Sequence, residues 1–102
     1  MMTYRQYLLL KLAEECAEVA QRALKQMQFG RDEIQHDQEL TNGQRLSQEL
    51  IDLEAVKILL VHTQEIPDQR FQEYQNAVEK KHTKMKKYFD YSQSLGMVKH
   101  AD

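Results

Sequence analysis

Five acidic residues fall into two short clusters, Glu14-Glu15-Cys16-Ala17-Glu18 and Glu49-Leu50-Ile51-Asp52. Side chains three and four residues apart share one arc of an α-helix, because each residue turns the helix by about 100°. In the first cluster Glu15 lies at the edge of an apolar stripe, near Leu8 and Val19. Glu18 sits beside it one turn on, and Glu14 lies further round. In the second, Glu49 projects between Leu53, Val56 and Leu60, and Asp52 between Val56 and Leu59. An ionised carboxylate in such surroundings needs a partner that supports its charge.

Three partners are open: a Lys or Arg from another helix, a proton held by a raised pKa, or a divalent cation. The bases within these helices are Lys11, Arg22, Lys25, Arg45 and Lys57, and Lys57 lies on a different side of its helix from Asp52. If the two helices pack with their acids facing, four or five carboxylates converge, and that much like charge calls for a metal. Carboxylate and water ligands select Mg²⁺ or Mn²⁺ over Zn²⁺. Either cluster alone is an ordinary pattern for a solvated helix face. The pair together, with the second inside an apolar face, is far more specific.

Opposite charge lies further along. Residues 80–87 read Lys-Lys-His-Thr-Lys-Met-Lys-Lys, five lysines without an acid. Lys81 and Lys84 are three apart, and Lys80, Lys84 and Lys87 form a second row. Residues 1–66 carry 7 basic and 11 acidic side chains, a balance of −4, and residues 67–102 carry 7 and 5, a balance of +2. Acids that hold a cation, beside lysines, suit a polyphosphate. Lysines also serve solubility and complement a helix C-terminus, so any single one has an ordinary alternative role. His36, His62, His82 and His100 are dispersed, and Cys16 falls on the apolar stripe as a small core residue. There is no Gly-rich phosphate loop, zinc motif or nucleophile triad.

Three long helices must position these groups. The first spans about Thr3 to Phe29, with Thr3 as N-cap and Gly30 as C-cap. Its apolar residues recur at Leu9, Leu12, Cys16, Val19, Ala20, Ala23 and Met27, a helical spacing. The second spans about Gln44 to Glu65, with Leu46, Leu50, Leu53, Val56, Leu60 and Val61 as its apolar face. The third runs from about Asp68, just after Pro67, to Ser92 and carries Phe71, Tyr74, Val78, Met85, Tyr88 and Phe89. The polar linker Arg31–Asn42 has room for a short helical turn around Asp32–Gln38, and residues 97–102 read as a frayed tail. No strand pattern appears. The expected fold is all-α, an antiparallel bundle of three long helices in one domain over residues 1–96.

The 102 residues limit the chain to one small domain, and the net charge of −2 argues against a general nucleic-acid coat. One cysteine excludes an internal disulfide and fits a reducing compartment. The longest strictly apolar run is Leu8-Leu9-Leu10, far short of a membrane span, and no signal peptide is evident. The chain therefore reads as cytoplasmic, with no membrane partner. A domain this small is marginal alone, which makes self-association a reasonable expectation.

The string Leu12-Ala-Glu-Glu-Cys-Ala-Glu18, followed by Glu49-Leu-Ile-Asp52, resembles the MazG-like all-α nucleoside triphosphate pyrophosphohydrolases, particularly small phage-type members. Their hallmark is Glu-Glu-x-x-Glu on one helix and Glu-x-x-Asp on the next. Lys25-Gln-Met-Gln-Phe29-Gly30 is similar to the end of their first helix, Asn42 with Leu46 precedes the second motif as it does there, and Lys81-x-x-Lys84 ending in Tyr88 resembles their closing helix. The resemblance covers residues 8–90. Two departures stand out: thirty residues separate Glu18 from Glu49, slightly more than usual, and Gln48 stands where many relatives carry an acid.

The resemblance implies Mg²⁺-dependent cleavage of a nucleoside triphosphate between its α and β phosphates, giving the monophosphate and pyrophosphate, in nucleotide-pool housekeeping. Glu15, Glu18, Glu49 and Asp52 would hold Mg²⁺, with Mn²⁺ as a possible substitute. Glu14, with Glu15, would serve catalysis by supporting the cluster or orienting water. Lys81 and Lys84 would contact phosphates, and Tyr4, Tyr7 or Asn42 the base or ribose. Relatives build their sites in homodimers or dimers of dimers. The alternative is a non-catalytic helical interaction protein whose acids serve as salt-bridge partners. Nucleic-acid binding through residues 80–87 is a weaker third reading, opposed by the acidic remainder.

Overall fold

In the computed structural model, residues 1–99 are described, and among them every regular element is an α-helix. They are α1 (Tyr4–Phe29), α2 (Asn42–His62) and α3 (Phe71–Ser94). Met1–Pro67 forms one compact unit and the chain from Asp68 onward a second. None of these helices is long and apolar enough to cross a membrane.

Two identical devices start the first two helices. Thr3 caps α1 by accepting from the Gln6 N–H, while the Gln6 side chain accepts from the Thr3 N–H. Thr41 and Gln44 repeat this arrangement at α2. Each box satisfies two backbone donors that a helix start leaves orphaned. The second box explains why α2 begins at Asn42, two residues before the expected start: Gln44 is the third residue of the helix. The α2 C-terminus also comes early. The Thr63 hydroxyl bonds back to the Leu59 carbonyl, and Gln64 takes a left-handed φ of 63°, which ends the helix three residues before Glu65.

The linker contains turns, not the helical turn expected around Asp32–Gln38. Gly30 turns the chain out of α1 with φ 92°, a region that disfavours any residue with a Cβ. Asn42 then clasps the linker from both sides. Its backbone N–H donates to the Glu33 carbonyl, and its side-chain amide to the Gly30 carbonyl at 2.8 Å and to Glu33 Oε1 at 3.0 Å. The Gly43 N–H donates to the Arg31 carbonyl, so close that a Cβ on Gly43 would stand 3.4 Å from that oxygen. At the other end of the unit, Arg5 pairs with Glu65 at 3.5 Å. With both ends tied, α1 and α2 form an antiparallel hairpin.

The hairpin closes along two seams. On α1 the half-buried and buried positions include Leu8, Leu12, Glu15, Val19, Arg22 and Gln26, and on α2 Asn42, Leu46, Glu49, Leu53, Val56 and Leu60. Both follow alternating steps of four and three, the spacing that keeps a seam facing a partner helix. The α1 seam corrects the expected stripe. Leu12 and Val19 do face inward, but Leu9, Cys16, Ala20, Ala23 and Met27 are exposed, so Cys16 is not a core residue. The packed seam is rotated by one residue toward Glu15, Arg22 and Gln26.

The second unit carries α3. It starts at Phe71, three residues after Asp68, with Arg70 as an N-cap that makes no side-chain bond, and Glu73 is the acid in its first turn. No residue of α3 is fully buried; Val78 and Ser92 are half-buried. Of the expected tail, residues 97–99 follow α3 without helical structure, while 100–102, including His100, lie outside the described residues.

Candidate metal centre

Three of the predicted ligands converge where the hairpin seams meet. Glu15 and Glu18 come from adjacent turns of α1 and Glu49 from α2, and one carboxylate oxygen of each lies within 4.8 Å of the others. Glu15 and Glu49 are half-buried and Glu18 is exposed. One oxygen of Glu15 and one of Glu49 are shut off from solvent without a hydrogen-bond donor.

The electrostatic consequence falls on Glu49. Its pKa is raised from 4.5 to about 7, first by loss of solvent and then by the neighbouring Glu18 and Glu15 carboxylates. Both neighbours are acceptors only when ionised, so the contact among the three is a hydrogen bond only when one of them carries a proton. At neutral pH a proton on Glu49 relieves part of the repulsion. A divalent cation would relieve more, and a donor set made only of carboxylate oxygens suits a hard cation such as Mg²⁺ or Mn²⁺. The orphaned, desolvated oxygens and the raised pKa both fit such an ion.

The remaining predicted residues are placed differently. Asp52 lies outside the three-acid group, one turn beyond Glu49, and its Oδ1 accepts from Gln48 at 3.3 Å. Glu14 is exposed and pairs with Lys11 at 2.8 Å, which raises the Lys11 pKa, mainly through that hydrogen bond. Lys11 also lies 5.9 Å from the centre of the exposed Tyr7 ring. Tyr4 is likewise exposed in the first turn of α1. Asn42 is only 1% exposed and holds the linker with its amide, a structural task for a residue expected at the base or ribose. Lys81 and Lys84 are exposed on α3, in the second unit.

Sequence reasoning missed the polar continuation of the seams beyond the acids. Arg22 Nη1, Gln26 Oε1 and Asn42 Oδ1 are buried atoms without partners. The signal was available in the spacing: Arg22 and Gln26 extend the series Leu8, Leu12, Glu15, Val19 by further steps of three and four. It was hidden because a search for apolar residues selects the neighbouring stripe. Compared with models of known protein families, with curated proteins and with solved structures, the chain shows no significant match.

Proposed function

We propose that the protein is a divalent-cation-dependent nucleoside triphosphate pyrophosphohydrolase, with Glu15, Glu18 and Glu49 as the core of its metal centre. One observation carries the metal centre, three carboxylates from two helices that converge with desolvated oxygens no donor satisfies; the reaction assigned to it follows the resemblance of the two acidic motifs to MazG-like enzymes. A structural ion-pair network would place a base among them. Lys11 is instead taken by Glu14, and no ion pair among the described residues includes Glu15, Glu18 or Glu49.

Each residue then has a defined task. Glu15 and Glu49 offer oxygens already stripped of water, and Glu18 closes the group from the solvent side. Asp52, one turn along α2, is the fourth carboxylate of the assignment; its bond from Gln48 must yield if it is to act as a ligand. A bound Mg²⁺ or Mn²⁺ supplies charge neutralisation on the phosphates and acidifies water. Holding the triphosphate in line for attack is then a matter of positioning and fixed charge. A proton held on Glu49 near neutrality has to leave before all three acids can serve as ligands.

A second copy of the chain fits the same proposal. The stripe Leu9, Ala13, Cys16, Ala20, Ala23 and Met27 follows its own four-three spacing and is exposed throughout. Small residues at that spacing permit close approach of another helix. A homodimer or dimer of dimers would cover it.

The test is release of pyrophosphate from a panel of canonical and damaged nucleoside triphosphates with millimolar Mg²⁺, for the wild type and Glu49→Gln. The expected result is release by the wild type and near-complete loss in the variant. Equal rates in both would overturn the assignment. A wild type inert toward the whole panel, with no Mg²⁺-induced rise in melting temperature, would favour a non-catalytic helical interaction protein.

A further inference from the structure

Beyond the acids, the hairpin seam holds a positive charge whose partner is missing. Arg22 stands one turn after Glu18 and two after Glu15, on the α1 seam that faces α2. Its Nη1 is shut off from solvent and makes no hydrogen bond. The other cations of the hairpin are engaged. Arg5 pairs with Glu65, Lys11 with Glu14 and Arg31 with Asp32. Lys25 lies 5.7 Å from the centre of the Phe29 ring, Arg45 donates to Gln35 at 2.8 Å, and Lys57 also has an interaction. None of the ion pairs among the described residues includes Arg22.

A desolvated guanidinium nitrogen without an acceptor is costly, and no carboxylate among the described residues pairs with it. Helical rise separates Arg22 from Glu18 by about 6 Å along the α1 axis. Side chains four apart on one helix are neighbours, so Arg22 stands next to Glu18, yet no ion pair among the described residues joins the two. A guanidinium presents a planar fork of donors that matches the oxygens of a phosphate, and it is less strongly hydrated than an ammonium group. Acids that ask for a cation, followed one turn on by a guanidinium that asks for an anion, complement a ligand carrying both: a metal-chelated polyphosphate.

We infer that Arg22 binds a phosphate group of the substrate, next to the metal centre, and so sets the direction in which the polyphosphate lies along α1. This rests on the proposed pyrophosphohydrolase function and adds a substrate-contacting residue to it. The linker end of the seam, with Gln26 Oε1 and Asn42 Oδ1 as acceptors that lack donors, lies on the side of Arg22 away from the acids.

The experiment is calorimetric titration of an α,β-methylene nucleoside triphosphate analogue, which resists cleavage, into wild type, Arg22→Gln, Arg22→Lys and Glu49→Gln at saturating Mg²⁺. Melting temperature with and without Mg²⁺ is measured for each. Arg22→Gln is expected to weaken analogue binding about tenfold or more, as removal of a charged hydrogen bond does. Arg22→Lys should recover part of that loss. Both should keep the wild-type melting shift with Mg²⁺ alone. Binding by Arg22→Gln within about twofold of wild type would overturn the inference. So would loss of the Mg²⁺ shift together with analogue binding, because Arg22 would then be holding the hairpin together. If Arg22→Gln loses the analogue while Glu49→Gln binds it normally, Arg22 stands as an anion contact and the metal centre falls. A wild type that does not bind the analogue overturns both.

Discussion

The two ends of the α1–α2 hairpin share one spacing and differ in chemistry. Toward the chain ends the seams hold Leu8 and Leu12 on α1 and Leu53, Val56 and Leu60 on α2, with Leu8 and Leu60 fully buried. Toward the linker the same steps of four and three bring in Glu15, Arg22 and Gln26 against Asn42 and Glu49, and every orphaned buried side-chain atom found among the described residues belongs to that half. The apolar end is satisfied by contact alone, since dispersion and burial need no partner of particular chemistry. The polar end is satisfied only in part: Asn42 ties the linker, while the acids and Arg22 are left wanting. Both ends are tied, but only the linker end carries buried polar atoms that its own contacts leave unsatisfied.

The sharpest way to break that contrast is to exchange what each end is asked to do. Glu49→Gln should lower pyrophosphate release by at least the roughly 10–100-fold lost when groups that only support a metal's ligands are removed, and should leave the apo hairpin at least as stable above pH 7. Activity assays and urea melts of the same preparation check both halves of that statement. Leu60→Ala, at the apolar end, should do the reverse. It should cost about 2–5 kcal/mol of stability through lost burial and a cavity, while the folded fraction keeps its Mg²⁺ response.

A pH titration sharpens the comparison further. Glu49 titrates at about 7 in the folded chain against 4.5 unfolded, because burial and the adjacent Glu18 and Glu15 favour its protonated form. The folded state therefore binds its proton more tightly. The resulting stabilisation is fully present below pH 4.5 and is lost as pH rises through 7. Melting temperature without divalent cations should fall over that window, and Glu49→Gln should remove this contribution to the fall. Mg²⁺ competes with the proton, so its stabilising effect should grow as pH rises through 7. A pH-independent Mg²⁺ shift would mean that the cation binds elsewhere.

Smaller effects probe the boundaries. Thr41→Ala removes the cap that starts α2 beside Asn42 and should cost about 0.5–2 kcal/mol, seen as a lower denaturation midpoint. If Lys81 and Lys84 contact phosphate, as the resemblance implies, alanine at either should raise KM for the triphosphate severalfold with little change in stability, since both side chains are exposed. An unchanged KM would overturn that expectation for the two lysines.

Much of this was readable in the residues themselves. The all-α character follows from long breaker-free runs between Gly30, Gly43, Pro67 and Gly96. Thr3 marks the start of α1 as its N-cap, whereas the Thr41–Gln44 box that starts α2 two residues before the expected Gln44 emerges only with the structure, although a capping box is a local exchange of hydrogen bonds. The convergence of Glu15, Glu18 and Glu49 was legible because an acid within an apolar face must be compensated. Asp52 and Glu14 were harder, since a single turn of rotation decides whether a carboxylate meets the cluster, Gln48 or Lys11.

Which segments are helical, where α1 begins, and that the acidic residues of α1 and α2 fall on defined helix faces could all be read from the residues, because these depend on neighbours within a turn or two. Only the tertiary structure decided which face of α1 packs on α2. The most apolar stripe of α1 is exposed, and the seam through Glu15, Arg22 and Gln26 is the one that closes. Burying apolar area favours either stripe of α1, and the rotation that closes is the one compatible with the buried linker clasp at Asn42. That rotation brings the three acids together, leaves Arg22 Nη1 without an acceptor, and exposes the stripe Leu9, Ala13, Cys16, Ala20, Ala23 and Met27.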